Sequence, residues 1–165
     1  MLILNHTQIE RKIKRLSFQV AESYFEETDL IVAGIDGNGF NLAEKLFNEL
    51  KLILNTKNLE LVKVAVQKND PSEKTLTLNF DPEKTSGKNI ILVDDVLNSG
   101  RTMVYGLVPF IRARAKSIRT LVLADRNHKK FPVAADFVGI SLSTTSDEFI
   151  DFEINPEGIM SLYLK

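Results

Sequence analysis

Ten consecutive residues gather most of the reactive chemistry of this 165-residue chain: Val93-Asp94-Asp95-Val96-Leu97-Asn98-Ser99-Gly100-Arg101-Thr102. Two acids directly follow the apolar run Ile90-Ile91-Leu92-Val93, and a small polar turn then opens a helical pattern. Successive backbone N–H groups at a helix start, joined by the hydroxyls of Ser99 and Thr102, form a cradle for an anion. Gly100 lets the backbone approach a phosphate closely. Asp94 and Asp95 cannot serve that same anion, because they would repel it. They suit vicinal hydroxyls, which donate hydrogen bonds to paired acceptors, or an Mg²⁺ ion. Phosphate cradle and diol acceptors together describe a site for a 5-phosphoribosyl group. A plain acidic turn with a helix cap would need only part of this pattern.

The remaining inventory narrows the chemistry further. Cysteine is absent and the histidines are His6 and His128 alone. Thiol nucleophiles, disulfides, iron–sulfur clusters, zinc–thiolate and multi-histidine metal sites are thereby excluded. Nothing near His128 marks it as a base, so it reads as an ordinary loop histidine. A second glycine-rich turn, Gly34-Ile35-Asp36-Gly37-Asn38-Gly39, follows a strand and precedes a helix. An anion can sit at such a helix start, but the G-x-G-x-x-G spacing of a dinucleotide site is missing. The net charge is −1, yet Arg11, Lys12, Lys14 and Arg15 cluster early and Arg112, Arg114, Lys116 and Arg119 cluster later. Acids dominate the end, with Asp147, Glu148, Asp151, Glu153 and Glu157. Charge runs read first as solvated faces, and basic ones as candidates for phosphate or nucleic acid.

The elements that must position these residues follow from periodicity. Thr7 and Glu10 fit a capping box, and Ile9, Ile13, Leu16, Val20 and Tyr24 recur at helical spacing. Leu30–Ala33 is a short strand, and a second helix carries Ala43, Leu46, Phe47, Leu50 and Leu54 on one face. A strand is expected over 59–67, an irregular stretch over 68–88 with a strand at Thr75–Phe80, and buried strands at Ile90–Val93 and Ile118–Ala124. A helix runs from Thr102 to about Arg114, and shorter strands lie at Phe137–Ile140 and Ile159–Leu164. Apolar strands alternating with amphipathic helices predict an α/β fold, a single domain over 1–165 with a mainly parallel twisted sheet covered by helices on both faces. With 44% hydrophobic and 26% charged residues the composition is that of a globular chain. No apolar run reaches the ~18–20 residues of a membrane span, and the first residues are too few for a signal segment. A soluble, cytoplasmic protein with no membrane partner is expected.

Residues 93–102 closely resemble the phosphoribosyl-pyrophosphate motif of the type I phosphoribosyltransferases, and the likeness runs from Ile3 to about Ser146. Its nearest form is the group of pyrimidine-operon regulators and uracil phosphoribosyltransferases. Residues 3–24 resemble that group's N-terminal helix, and Gly34-Ile35…Gly39…Leu42-Ala43 its pyrophosphate loop and following helix. Asp125–Pro132 and Ala135–Gly139 resemble its base-binding hood. The resemblance implies that Asp94 and Asp95 hold the ribose hydroxyls and Mg²⁺, and that Asn98, Ser99, Gly100, Arg101 and Thr102 hold the 5-phosphate. It implies pyrophosphate contacts from Asp36, Gly37, Asn38 and Lys129, and a base stacked on Phe137 beside the Val138 backbone. Asp36 and Asn38 stand where the family usually carries Lys or Arg, and Lys68 and Lys74 are the nearby basic residues of the 68–88 stretch. Purine enzymes of the class tend to have an acid at position 98, so Asn98 argues against a purine base.

The expected activity is transfer of the 5-phosphoribosyl group from phosphoribosyl pyrophosphate to a nucleobase, uracil, with release of pyrophosphate. Two alternatives differ in class: a nucleotide-sensing RNA-binding regulator of pyrimidine genes, and a non-catalytic binder of phosphoribosyl ligands. RNA is the less favoured partner, and a homo-oligomer, dimer or higher, is expected.

Overall fold

Central strands of a sheet covered on both faces can afford no polar alternation, and three segments of this chain meet that condition. In the computed structural model, which describes residues 1–55, 57–67, 69 and 76–165, these become β2 (Asp29–Ile35), β5 (Asn89–Leu97) and β6 (Ser117–Asp125). They lie side by side in a six-stranded sheet with β3 (Asn58–Ala65), β4 (Thr77–Leu78) and β7 (Phe137–Ser141), in the order β4-β3-β2-β5-β6-β7. All neighbours are parallel except β3 and β4. Lys68, Lys74 and the first residue of the strand expected at Thr75–Phe80 fall outside the described residues.

Side chains alternate across this sheet. Val32, Ile91, Val93, Leu121 and Leu123 pack under helices α1 (His6–Ser23) and α2 (Asn38–Ile53). Ile31, Ala33, Ile35, Ile90, Leu92 and Val122 pack against Met103 and Phe110 of α3 (Arg101–Arg112). Truncating any fully buried Leu here, such as Leu92, should cost ~2–5 kcal/mol. The cap of α1 differs from expectation. Asn5, not Thr7, accepts from the Gln8 N–H at 3.0 Å, and the Gln8 side chain accepts from the Asn5 N–H at 2.9 Å. Both pairs have capping-box spacing; β1 (Leu2–Leu4) brings the chain in extended as far as Asn5, which decides between them.

β1 joins β8 (Ile150–Ile154) and β9 (Met160–Leu164) in a separate antiparallel sheet of order β1-β9-β8. Its inward residues Leu4, Ile150, Phe152, Met160 and Leu162 are buried in the core beneath α1 and α2. The small sheet therefore comes from the two ends of the chain. Residues 126–136, inside the segment expected as the hood, contain no strand.

Chain order places the important crevice. From β2 the chain crosses to β3 on one side, and β5, β6 and β7 continue on the other side of β2. The topological switch thus lies between β2 and β5, where ligands of open α/β sheets bind beyond the carboxyl ends of the strands.

Candidate functional site

At that switch point two helices begin on glycine. Gly37 (φ 93°) caps α2 and Gly100 (φ 84°) caps α3, and neither cap has a side-chain hydrogen bond. Both helix starts keep backbone donors unspent, with positive dipole ends directed past the strands. Gly100 is needed twice over: its φ is left-handed, and a Cβ there would stand 2.5 Å from Val133 Cγ1. The start of α2 also packs close to the end of β5, since a Cβ on Gly39 would lie 2.7 Å from Asp94 Oδ1.

A cleft of about 290 Å³ opens here, lined by Asn38, Asp94 to Met103, Ile150, Asp151 and Phe152. Asp94 is 6% exposed, and its Oδ1 accepts the Asp95 N–H at 2.9 Å. Ser99 Oγ accepts the Arg101 N–H at 3.3 Å, and the Ser99 carbonyl accepts from the N–H groups of Lys130 and Phe131 at 2.8 and 3.1 Å. The 98–102 loop is thus braced from behind by 130–131, while its own lining side faces the cleft. Among the described residues no group of three or more His, Asp or Glu side chains could enclose a metal ion. Asp94 and Asp95 form a two-carboxylate donor set that suits Mg²⁺ sharing its remaining positions with ligand oxygens or water.

The structure distributes the other expected residues differently. Asn38 lines the cleft, and its Nδ2 donates to the Phe152 carbonyl at 2.6 Å, tying the α2 start to the small sheet. Asp36 turns toward β3, where Lys63 Nζ lies 3.4 Å from its Oδ1. Lys129 does not reach the cleft: its ammonium is held by Asp125 at 2.8 Å. Phe137 and Val138 are also elsewhere. Sheet register sets Phe137 beside Leu121, itself beside Val93, so it stops short of the level of Asp94. Its ring belongs to the core under α1, because an edge strand must be covered on that face. Lys12 and Arg15 complete that cover by donating to the Gly139 carbonyl of β7, each at 2.9 Å, so two of the four cations of this run are held against the sheet edge. His128 Nε2 donates to the Thr144 carbonyl at 2.6 Å, consistent with a structural loop histidine.

A further wall of the cleft comes from β8, whose Ile150, Asp151 and Phe152 line it and which the sequence reading missed. β8 is an edge strand, and Phe149 and Lys165 exchange backbone hydrogen bonds at its start. Alternation then turns the N–H and C=O groups of Ile150 and Phe152 to the free edge, toward the cleft. The Asn38 bond to the Phe152 carbonyl marks that direction. Phe149, beside Ile150, is 49% exposed. The signal available was the alternation of Ile150, Asp151, Phe152, Glu153 and Ile154, a half-buried strand hidden inside an acidic run. The acids face outward and pair with Lys165, which holds Asp151 and Glu153 together and has its pKa raised by those bonds.

Comparison with known proteins identifies the family and the fold. The family model of the phosphoribosyl transferase domain matches residues 2–156. The bifunctional protein PyrR of Brevibacillus brevis is 31% identical over 167 residues, covering 98% of this chain and 93% of that protein. PyrR of Leuconostoc citreum is 34% identical over 160 residues, covering 90% and 87%. Among solved structures, a hypoxanthine-guanine phosphoribosyltransferase (hpt-2) from Bacillus anthracis superposes with a TM-score of 0.76 at 22% identity, covering 99% of this chain and 96% of that one. At that identity the likeness speaks for the fold. Among the described residues no helix is long and apolar enough to cross a membrane.

Proposed function

The chain belongs to the phosphoribosyl transferase domain family, and from that premise we propose that it transfers the 5-phosphoribosyl group of phosphoribosyl pyrophosphate to uracil. The bond from ribose C1 to the pyrophosphate oxygen breaks, the bond from C1 to base N1 forms, and the N1 proton leaves. The observation that carries this reading is one cleft lined at once by the 98–102 loop, the Asp94–Asp95 pair and the β8 edge. A 5-phosphate, a diol and a base need those three surfaces in that order.

In this reading the N–H groups at the start of α3, with Ser99 and Thr102, fix the 5-phosphate. Asp94 and Asp95 accept from the ribose hydroxyls, and their charge favours the cationic ribosyl transition state. Asp94 and Asp95 would also hold Mg²⁺, which supplies charge neutralisation for the departing pyrophosphate. No covalent nucleophile is required. Ile150 offers one N–H and one C=O to a lactam edge of the base, and Phe149 supplies an aromatic face. Hypoxanthine presents the same lactam edge, so uracil rests on Asn98 and on the likeness to the PyrR proteins.

The test is nucleotide formation from labelled phosphoribosyl pyrophosphate against uracil, cytosine, hypoxanthine and guanine. Uracil should give the highest kcat/KM. A higher value for hypoxanthine would overturn the choice of base, and no product from any base in a chain that binds phosphoribosyl pyrophosphate would establish a non-catalytic binder. The RNA-binding alternative draws on Arg11, Lys14 and Lys45, which line one groove between α1 and α2. Its affinity should fall steeply with salt, and no gel shift with pyrimidine-operon leader RNA at low salt would end it.

A further inference from the structure

The 35–39 turn poses a physical problem if a pyrophosphate is to sit there: it holds Asp36 and no cation of its own. The fold answers from a neighbouring strand. β3 runs parallel to β2 with Lys63 opposite Gly34 and Val64 opposite Ile35. The Val64 carbonyl accepts the Asp36 N–H at 2.8 Å, and Lys63 Nζ lies 3.4 Å from the Asp36 carboxylate. The same ammonium stands 4.4 Å from the ring centre of Phe40, in the first turn of α2. Backbone and side chain of Asp36 are thus both drawn toward β3, and the cleft lining includes Asn38 but not Asp36.

We propose that Lys63 is the positioning residue of the 35–39 loop, holding Asp36 aside and neutralising it so that the uncapped start of α2 can accept pyrophosphate. The proposal rests on the reading of the cleft given above and on the pyrophosphate contacts that the family resemblance implies for the 35–39 turn. The pair is 38% and 53% exposed, and ion pairs so exposed add little to stability. Its consequence lies instead in the field felt by a multiply charged ligand a few ångströms away. One uncompensated carboxylate there should weaken binding about tenfold. The cation–π contact with Phe40, at 4.4 Å, favours the ammonium's position beside the turn.

The experiment is calorimetric titration of wild type, Lys63→Met, Asp36→Asn and the double variant with Mg²⁺-pyrophosphate, and in parallel with ribose 5-phosphate, which would occupy the 98–102 loop. Lys63→Met should bind pyrophosphate about tenfold more weakly, with ribose 5-phosphate unchanged, and the gap should narrow as salt screens the charge. The double variant should recover to near wild type, because no charge is left unpaired. Unchanged pyrophosphate affinity in Lys63→Met overturns the proposal. So does a double variant as weak as Lys63→Met, which would make Lys63 a direct ligand contact. Wild type binding ribose 5-phosphate but not pyrophosphate removes the loop's role, whereas wild type binding neither overturns the reading of the cleft itself.

Discussion

On the proposed function, the two loops at the switch point would solve one electrostatic task with different resources. Each follows a central strand, and each starts a helix on a glycine of positive φ that has no side chain to spend on the helix's first donors. Helix α1, by contrast, spends the N–H groups of Asn5 and Gln8 on its capping box. The 98–102 loop carries its own equipment: Ser99, Arg101 and Thr102 within the turn, and Asp94 and Asp95 just before it. The 35–39 loop borrows, taking Lys63 from β3 and the Phe152 carbonyl as the anchor of Asn38. A self-equipped loop should dominate affinity, and a borrowing loop should tune it.

The largest effect expected is in the self-equipped half. Asp95→Asn removes an anionic acceptor from the diol and the metal, and charge-assisted bonds of ~1.5–3 kcal/mol each predict a loss of phosphoribosyl pyrophosphate affinity of about a hundredfold. Calorimetry of the folded variant reads this directly, and unchanged affinity would remove the ribose assignment. Next comes Gly100→Ala. Left-handed backbone costs an L-residue ~1–2 kcal/mol, and the added Cβ meets Val133 at 2.5 Å. Ribose 5-phosphate binding should be lost with a Tm lower by several degrees, while pyrophosphate binding survives; loss of both would show the loops are not separable.

Phe149→Ala should raise the KM for the base about fivefold, in line with ~0.5–1.5 kcal/mol for an aromatic contact. Because Phe149 is half exposed, Tm should hardly move. The matching change Phe137→Ala should do the reverse, since its ring is core: lower Tm and an unchanged KM ratio among bases. Asn38→Ala removes the bond that ties the borrowing loop to β8, worth ~1 kcal/mol. Pyrophosphate and base affinities should both fall a few-fold in steady-state kinetics, and an effect on pyrophosphate alone would deny the tie.

The smallest effect is expected at the other end of the sheet. Glu27 accepts from Lys116 at 2.7 Å and Asn89 at 3.0 Å, and these bonds hold its carboxyl below the usual range. A lowered folded-state pKa gives stability that is present above the unfolded pKa and is lost as pH falls through the folded one. Glu27→Gln should flatten that acid-side loss in thermal melts across pH and leave ligand binding untouched.

The sequence made the self-equipped half legible and the borrowing half opaque, for one physical reason. β5 and the 98–102 loop are local: an unbroken apolar run, two acids, then small polar residues. Lys63 has no meaning beside its chain neighbours; only the β2–β3 register sets it against Asp36. Phe137 and Phe149 are both aromatic residues of the closing third, and burial under α1 separates them. The strand β8 was masked because its outward positions, Asp151 and Glu153, merge with the acids around them. The α1 cap lies two residues before the expected Thr7 because two pairs fit one spacing, and only the extended β1 chooses.

Central to this account is that the two loops grip opposite ends of one ligand in one cleft. Titration of Mg²⁺-phosphoribosyl pyrophosphate into the chain, free and then saturated with ribose 5-phosphate, tests it most directly. One site per chain is expected, with ribose 5-phosphate suppressing the binding. Binding of phosphoribosyl pyrophosphate undisturbed by saturating ribose 5-phosphate, or no binding at all, would contradict it.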